Sequence, residues 1–176
     1  MITIRKERPP DAVAREGLLD EAFGKERWRK SSQRLRDGQP PAGELAFVAT
    51  EDKRVIGTAR LWNIACGTGQ SALLLGPVAV ASACRNRGIG SALVRHALLA
   101  ARRRGHRAVV LVGDAPYYSR FGFSAEKAAT LRMPGPFERH RLLAVELVPG
   151  ALKGARGLLR AARQPVAQAK IAASAA

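Results

Sequence analysis

The sequence predicts one domain of the α/β class, and three observations carry that expectation. The chain has 176 residues, about one domain at roughly 150 residues each and enough to bury a proper core. Hydrophobic residues make up 47% of it and charged residues 25%, which excludes wholesale disorder. Two continuous apolar runs, Ala72–Ala81 and Ala108–Val112, flank a stretch with a helical apolar stripe. A strand, crossover helix and strand of these lengths make a right-handed parallel unit.

The elements follow in order. Residues 2–6 read as a short strand, and Pro9, Pro10 and Asp11 open a helix reaching about Phe23. The basic segment Lys25–Arg36 reads as a second short helix, stopped by Asp37-Gly38-Gln39-Pro40-Pro41. Glu44–Thr50 and Val55–Ile64 read as a hairpin turned at Glu51-Asp52-Lys53. Gly76-Pro77 interrupts the run 72–81, so that strand is expected to bulge or bend there. Gly88-Ile89-Gly90 opens the crossover helix, whose stripe is Ile89, Leu93, Val94, Ala97, Leu98 and Ala101. Arg102, Arg103 and Arg104 suit the dipole in its last turn, and Gly105 is placed to end it. Ala115–Arg120 then reads as a short helix and Arg141–Val148 as a last strand. Residues 1–149 are expected to form the domain. From 150 to 176 the chain turns to Ala, Gly and Arg, read as a basic tail, partly helical around Leu152, Leu158 and Leu159 and frayed or disordered from Gln164 to Ala176.

Composition also narrows function. Cys66 and Cys84 cannot make a disulfide scaffold, and with three scattered histidines they form no metal-ligand spacing, so no metal is expected. No apolar run approaches the roughly 18 residues of a membrane span, and no apolar signal segment opens the chain, so a cytoplasmic protein away from membranes is expected. The charge is the unusual quantity. Thirty Lys and Arg, 23 of them Arg, against 14 Asp and Glu give +16. The 61 residues between Asp52 and Asp114 contain no acid at all. That balance predicts an anionic partner: a phosphorylated small molecule, a nucleic acid or a membrane surface.

The loop Arg85-Asn86-Arg87-Gly88-Ile89-Gly90, between a buried strand and a helix, fits a phosphate. Its glycines let the backbone come close to an anion, and the first helical turn offers free N–H groups. Arg85 and Arg87 can add charge-assisted bonds. The nucleotide P-loop is excluded because Gly-Lys-Ser/Thr is absent, and the dinucleotide fingerprint because Leu93 stands where its third glycine belongs.

Those six residues match the Arg/Gln-x-x-Gly-x-Gly/Ala signature of the GCN5-related N-acetyltransferases, the GNAT family. Leu75-Gly76-Pro77-Val78-Ala79-Val80 resembles that family's central strand, and Tyr117-Tyr118-Ser119-Arg120-Phe121-Gly122-Phe123 resembles its Tyr-x-x-x-Gly-Phe segment. The three stand in family order, and the YY-x-x-FGF form is similar to a bacterial branch of predicted N-acetyltransferases. The resemblance implies a mixed sheet splayed between its fourth and fifth strands, with helices on both faces and acetyl-CoA in the gap. The pyrophosphate would lie on Arg85, Asn86, Arg87, Gly88, Ile89, Gly90 and Ser91, bound by the N–H groups of Arg87, Gly88, Gly90 and Ser91. The pantetheine would pair with the strand edge at Val78 and Val80 as an added strand does.

The implied reaction is direct attack of a small-molecule or peptide amine on the thioester. Tyr118 occupies the family position of the general acid that protonates the leaving sulfur. Many relatives carry a Glu on the central strand, but Leu73–Val80 has no ionisable group. Glu21, or Glu26, on the N-terminal helices is therefore the candidate base. Two other functions are weighed beside this one. A nucleic-acid-binding protein would explain +16, against which stand 5% aromatics and no recognition motif. A CoA-binding domain without catalysis would explain the absent strand carboxylate. A homodimer is compatible with all three.

Overall fold

A computed structural model describes residues 1–163, and the frayed end expected at Gln164–Ala176 lies outside them. In chain order the elements are β1 (Thr3–Lys6), α1 (Ala12–Phe23), α2 (Gln33–Arg36), β2 (Ala46–Glu51), β3 (Arg54–Ala65) and β4 (Ser71–Val80). They continue with α3 (Ile89–Arg103), β5 (Ala108–Val112), α4 (Ala115–Tyr118), β6 (Leu131–Arg132), β7 (Leu142–Glu146), β8 (Gly157–Leu158) and β9 (Arg160–Ala161). One mixed sheet runs β1-β2-β3-β4-β5-β7, with β4 and β5 its parallel pair. β9 pairs with Ile64 and Ala65 of β3, beyond the stretch that β2 covers.

The period-two rule assigns the two faces. Leu73 and Leu75 of β4, Val109 and Leu111 of β5 and Leu143 of β7 turn to one face, where α3 lays Ile89, Leu93, Val94, Ala97 and Ala101 on them. Ala72 and Leu74, Ala108 and Val110, and Leu142 and Ala144 turn to the other. There they meet Leu35 of α2, Leu131, Met133, Leu152, Ala155 and Leu159. Each fully buried Leu contributes roughly 1.5–3 kcal/mol. The N-terminus is fixed by polar means. The Arg5 guanidinium donates to both oxygens of Asp11 at 2.7 and 2.8 Å, and the Arg8 N–H donates to the same carboxylate at 2.7 Å.

Two features of β4 position the site. Ala59 of β3 pairs with Val78 but Leu61 pairs with Leu75, so Gly76 and Pro77 bulge opposite a single residue. Gly76 has φ +132°, which L side chains rarely adopt, and its carbonyl accepts the Trp62 indole N–H at 2.6 Å. The strands β4 and β5 pair only at Leu73–Val109 and Leu74–Val110. Past Leu74 they part, which is the expected splay.

Two expectations are corrected. Lys25–Arg36 is not one helix: a 3-10 turn spans Lys25–Arg29, Lys30 is extended, and α2 is a single turn. Basic residues without an apolar stripe give a helix nothing to bury. The helix expected around Leu152, Leu158 and Leu159 does not form either. Leu152 and Leu159 are buried, but Gly157–Leu158 pairs in parallel with Leu131–Arg132 and Arg160–Ala161 joins β3. Residues 150–161 thus pack into the same body as the sheet.

Candidate active site

At the Val80 end of β4 the chain makes a 3-10 turn, Ser82–Cys84, then passes through Asn86 at φ 61° and Gly88 at φ 75° into α3. Left-handed residues in such a turn gather successive N–H groups into an anion-binding concavity. The N–H groups of Arg87, Gly88, Ile89, Gly90 and Ser91 have no acceptor among the described residues. They stand at the positive end of the dipole of a 15-residue helix. Side chains contribute less. Ile89 is buried in the core, so only its backbone faces a ligand. The Arg87 guanidinium is held by both oxygens of Glu51, at 2.7 and 2.9 Å, while Arg85 and Asn86 are exposed. The Tyr117 hydroxyl sits 3.3 Å from Ser91 Oγ, against the same helix end.

Val78 and Val80 pair with Ala59 and Gly57 of β3, and neither has a partner in β5. The β5-facing edge of this half of β4 is therefore open among the described residues. Where the strands part lies a cavity of about 690 Å³. The β4 bulge, the turn Val112–Asp114 and Tyr118 form one side of it, and Arg27–Arg36 with residues 136–138 form the other. The two outer segments are joined: Ser31 Oγ donates to the Pro136 carbonyl, and Arg34 donates to the Pro134 carbonyl at 2.7 Å.

Tyr118 lines this cavity and Tyr117 does not. A Cβ on Gly113 would lie 2.5 Å from the Tyr118 ring, so only glycine lets the ring rest on the backbone there. Phe123 and Tyr117 meet the ring edge to face, at 5.8 and 4.9 Å between centroids. Burial, with smaller contributions from Tyr117 and Asp114, pushes its phenol up to about 12. The hydroxyl keeps its proton at neutral pH and has no hydrogen-bond partner among the described residues.

Glu21 does not reach the cavity. Its carboxylate accepts the Ser82 N–H at 2.9 Å, tying α1 to the turn after β4. That hydrogen bond, helped by Arg85, holds its pKa below the usual carboxylate range, the wrong direction for a base. Glu26 is exposed and paired with Arg29. The carboxylates that do line the cavity are Asp114 and Glu138, one capping α4 through the Tyr117 N–H and the other beside His140.

Sequence reasoning missed the cavity's cations. Arg27, Lys30, Arg36 and Arg141 all line it. Arg27 is bound by Glu16 and Asp20. Among the described residues Arg36 has only the Gln33 side-chain oxygen, at 3.2 Å, and burial pulls its guanidinium down to about 10. Burial, then Arg36 and Arg141, lower Lys30 as well. The available signal was the Lys25–Arg36 segment itself, basic yet without an apolar face. Among the described residues no group of His, Cys, Asp and Glu could hold a metal, and no helix is long and apolar enough to cross a membrane.

Comparison with known proteins bears on the same region. A model of the acetyltransferase (GNAT) domain matches residues 42–125, which include Val78, Val80, the Arg85–Ser91 loop and Tyr118. The chain is 33% identical over 159 residues to the uncharacterized N-acetyltransferase YhbS of Escherichia coli K12, covering 89% of this chain and 93% of that relative. The crystal structure of Escherichia coli YhbS in complex with CoA superposes with a TM-score of 0.78 at 31% identity, covering 92% of this chain and 89% of the other. A GNAT family acetyltransferase of Brucella melitensis in complex with acetyl-CoA gives 0.64 at 30% identity, covering 85% and 90%.

Proposed function

This chain belongs to the GNAT acetyltransferase family, and from that premise we propose that acetyl-CoA lies along β4 and gives its acetyl group to an amine in the 690 Å³ cavity. The observation that carries this reading is the row of N–H groups without acceptors at the start of α3, continuous with the open edge of β4. The N–H groups of Arg87, Gly88, Gly90 and Ser91 hold the pyrophosphate. Val78 and Val80 offer the pantetheine a strand edge, and the Gly76–Pro77 bulge leaves room at the cavity for the reacting carbonyl. Acetyl-CoA supplies the thioester, whose C–S bond breaks after the amine nitrogen has bonded to carbon.

Tyr118 donates its hydroxyl proton to the departing sulfur. A phenol near 12 carries that proton at every physiological pH. A lysine-like amine with pKa near 10.4 is only about 0.04% neutral at pH 7, a cost of roughly 4.6 kcal/mol. The cations lining the cavity repel an ammonium and so favour the neutral, attacking form, whose proton leaves to water. Glu21 plays no part in that transfer; it holds the α1 wall.

Release of free thiol from acetyl-CoA, measured over a panel of amines, tests the reading. Tyr118→Phe is expected to lower kcat about 100-fold at unchanged CoA affinity, because a thiol is a tolerable leaving group even unprotonated. Tyr117→Phe is expected to cost much less. Full kcat in Tyr118→Phe would assign the proton to water and leave the tyrosine a structural role.

A further inference from the structure

Lys30, Arg36 and Arg141 come from two distant parts of the chain and face one cavity, and none of the three is paired with a carboxylate among the described residues. For Arg36, the buried member, its neighbours show that this is not how the protein treats such cations elsewhere. On the same segment Arg27 is held by two carboxylates, and Arg60 on β3 is paired with Glu7. Arg34 donates to a main-chain carbonyl. Arg36 is withdrawn from water with a side-chain amide oxygen as its only acceptor among the described residues, and its guanidinium lies 3.9 Å from where a Gly76 Cβ would be. Desolvating an unpaired cation is costly, and the cost is recovered when an anion arrives.

That anion is not the pyrophosphate. Gly76 and Ser82 are six residues apart, about 20 Å along a strand at roughly 3.3 Å per residue. The loop that would hold the pyrophosphate begins beyond Ser82. Asp37, next in the chain, acts on Arg36 from exposed ground but makes no ion pair with it and accepts the Gln33 amide at 2.7 Å. The carboxylates lining the cavity are exposed and engaged as well, Asp114 with the Tyr117 N–H and Glu138 with His140.

Resting on the acetyltransferase reading, we propose that the acceptor is a small amine that also carries an anionic group, a carboxylate or a phosphate. Arg36, Lys30 and Arg141 bind that group and present the amine toward Tyr118. The anion pairs with Arg36 through two parallel N–H donors and with the other two cations as point charges. A polyamine is disfavoured by the same charges. Specificity therefore resides in residues outside the 42–125 segment shared with the family domain.

The test compares acceptors of matched skeleton in the thiol-release assay: amino acids and aminoalkyl phosphates against amino acid amides, amino alcohols and diamines. The anionic members are expected to show kcat/KM about tenfold to a hundredfold higher, the range of a charge-assisted bond. Whether carboxylates or phosphates lead identifies the source of the anion. Lys30→Gln, Arg141→Gln and Arg36→Gln are each expected to raise the KM of the anionic acceptor at least tenfold with the KM of acetyl-CoA within twofold. Lys30 and Arg141 are exposed, so their variants fold even if the Arg36 variant does not. Equal or better turnover of neutral or cationic amines overturns the proposal and leaves the acetyltransferase reading intact. So does a rise in the KM of acetyl-CoA instead of the acceptor's. Thiol release with no amine at all overturns both.

Discussion

The two ends of β4 hold positive charge in opposite ways. At the Val80 end the potential comes from five consecutive backbone N–H groups and a helix dipole, and the nearby Arg87 guanidinium is turned away onto Glu51. At the Gly76 end it comes from side chains of two segments about a hundred residues apart, carried on single turns and extended chain. Backbone groups need only glycines and a turn, so the first device tolerates sequence change and suits a partner common to many enzymes. Side chains encode their own positions, so the second suits a partner peculiar to one.

The largest expected effect breaks the first end alone. Gly90→Asp puts a carboxylate in the N–H cradle, with its Cβ 3.2 Å from the Tyr117 hydroxyl and 3.7 Å from Val80. CoA at a hundredfold excess over Kd should stabilise the wild type by about 2.7 kcal/mol and this variant not at all. An unchanged shift in a melting experiment would remove the loop from the site.

A smaller effect holds both ends constant. Asp11 is held down to about 2, chiefly by its hydrogen bonds from Arg5. A carboxylate whose folded pKa lies below its unfolded value stabilises above roughly pH 4 and loses that contribution as pH falls toward 2. Asp11→Asn should therefore cost about 2 kcal/mol near neutrality and flatten the acid limb of the stability curve between those values. CoA binding, read by the same melting shift, should be unaltered, since Asp11 touches neither end of β4.

The smallest effect sharpens the contrast between wall and chemistry. Glu21→Gln keeps an oxygen to accept the Ser82 N–H, so kcat should stay within about threefold of wild type and bind CoA as before. A hundredfold loss of kcat with a displaced acid limb in the pH–rate profile would restore Glu21 as the base.

What was legible in the sequence was local. The Gly76-Pro77 break, the glycine loop and the Tyr117–Phe123 segment each span a few residues, and turn chemistry is written at that range. The continuous apolar runs of β4 and β5 announced buried strands for the same reason. What escaped was non-local. Nothing near Gly157 says that it will lie beside Leu131, nor near Arg160 that it will extend the sheet at Ala65, and small residues there read as helix formers or tail. Arg36 read as the end of a basic helix and Arg141 as the start of a strand, because the cavity that joins them exists only after β4 and β5 part. The bond from the Ser82 N–H to Glu21 was hidden in the same way, since the two are 61 residues apart.

The hydrogen bonds from Ser31 to Pro136 and from Arg34 to Pro134 have a consequence for descent. They bind the turn at α2 and the chain at Pro134–Pro136 into one panel that forms none of the strands of the sheet. On the acceptor assignment proposed above, a lineage that reworks that panel would adopt a different acceptor while the sheet, the glycine loop and the tyrosine pass on unaltered. Because the two stretches touch, a change in one alters the footing of the other, and the two should be inherited as a matched pair. Chimaeras that exchange only one of them between relatives would then be sterile, and those exchanging both would carry the donor's choice of acceptor.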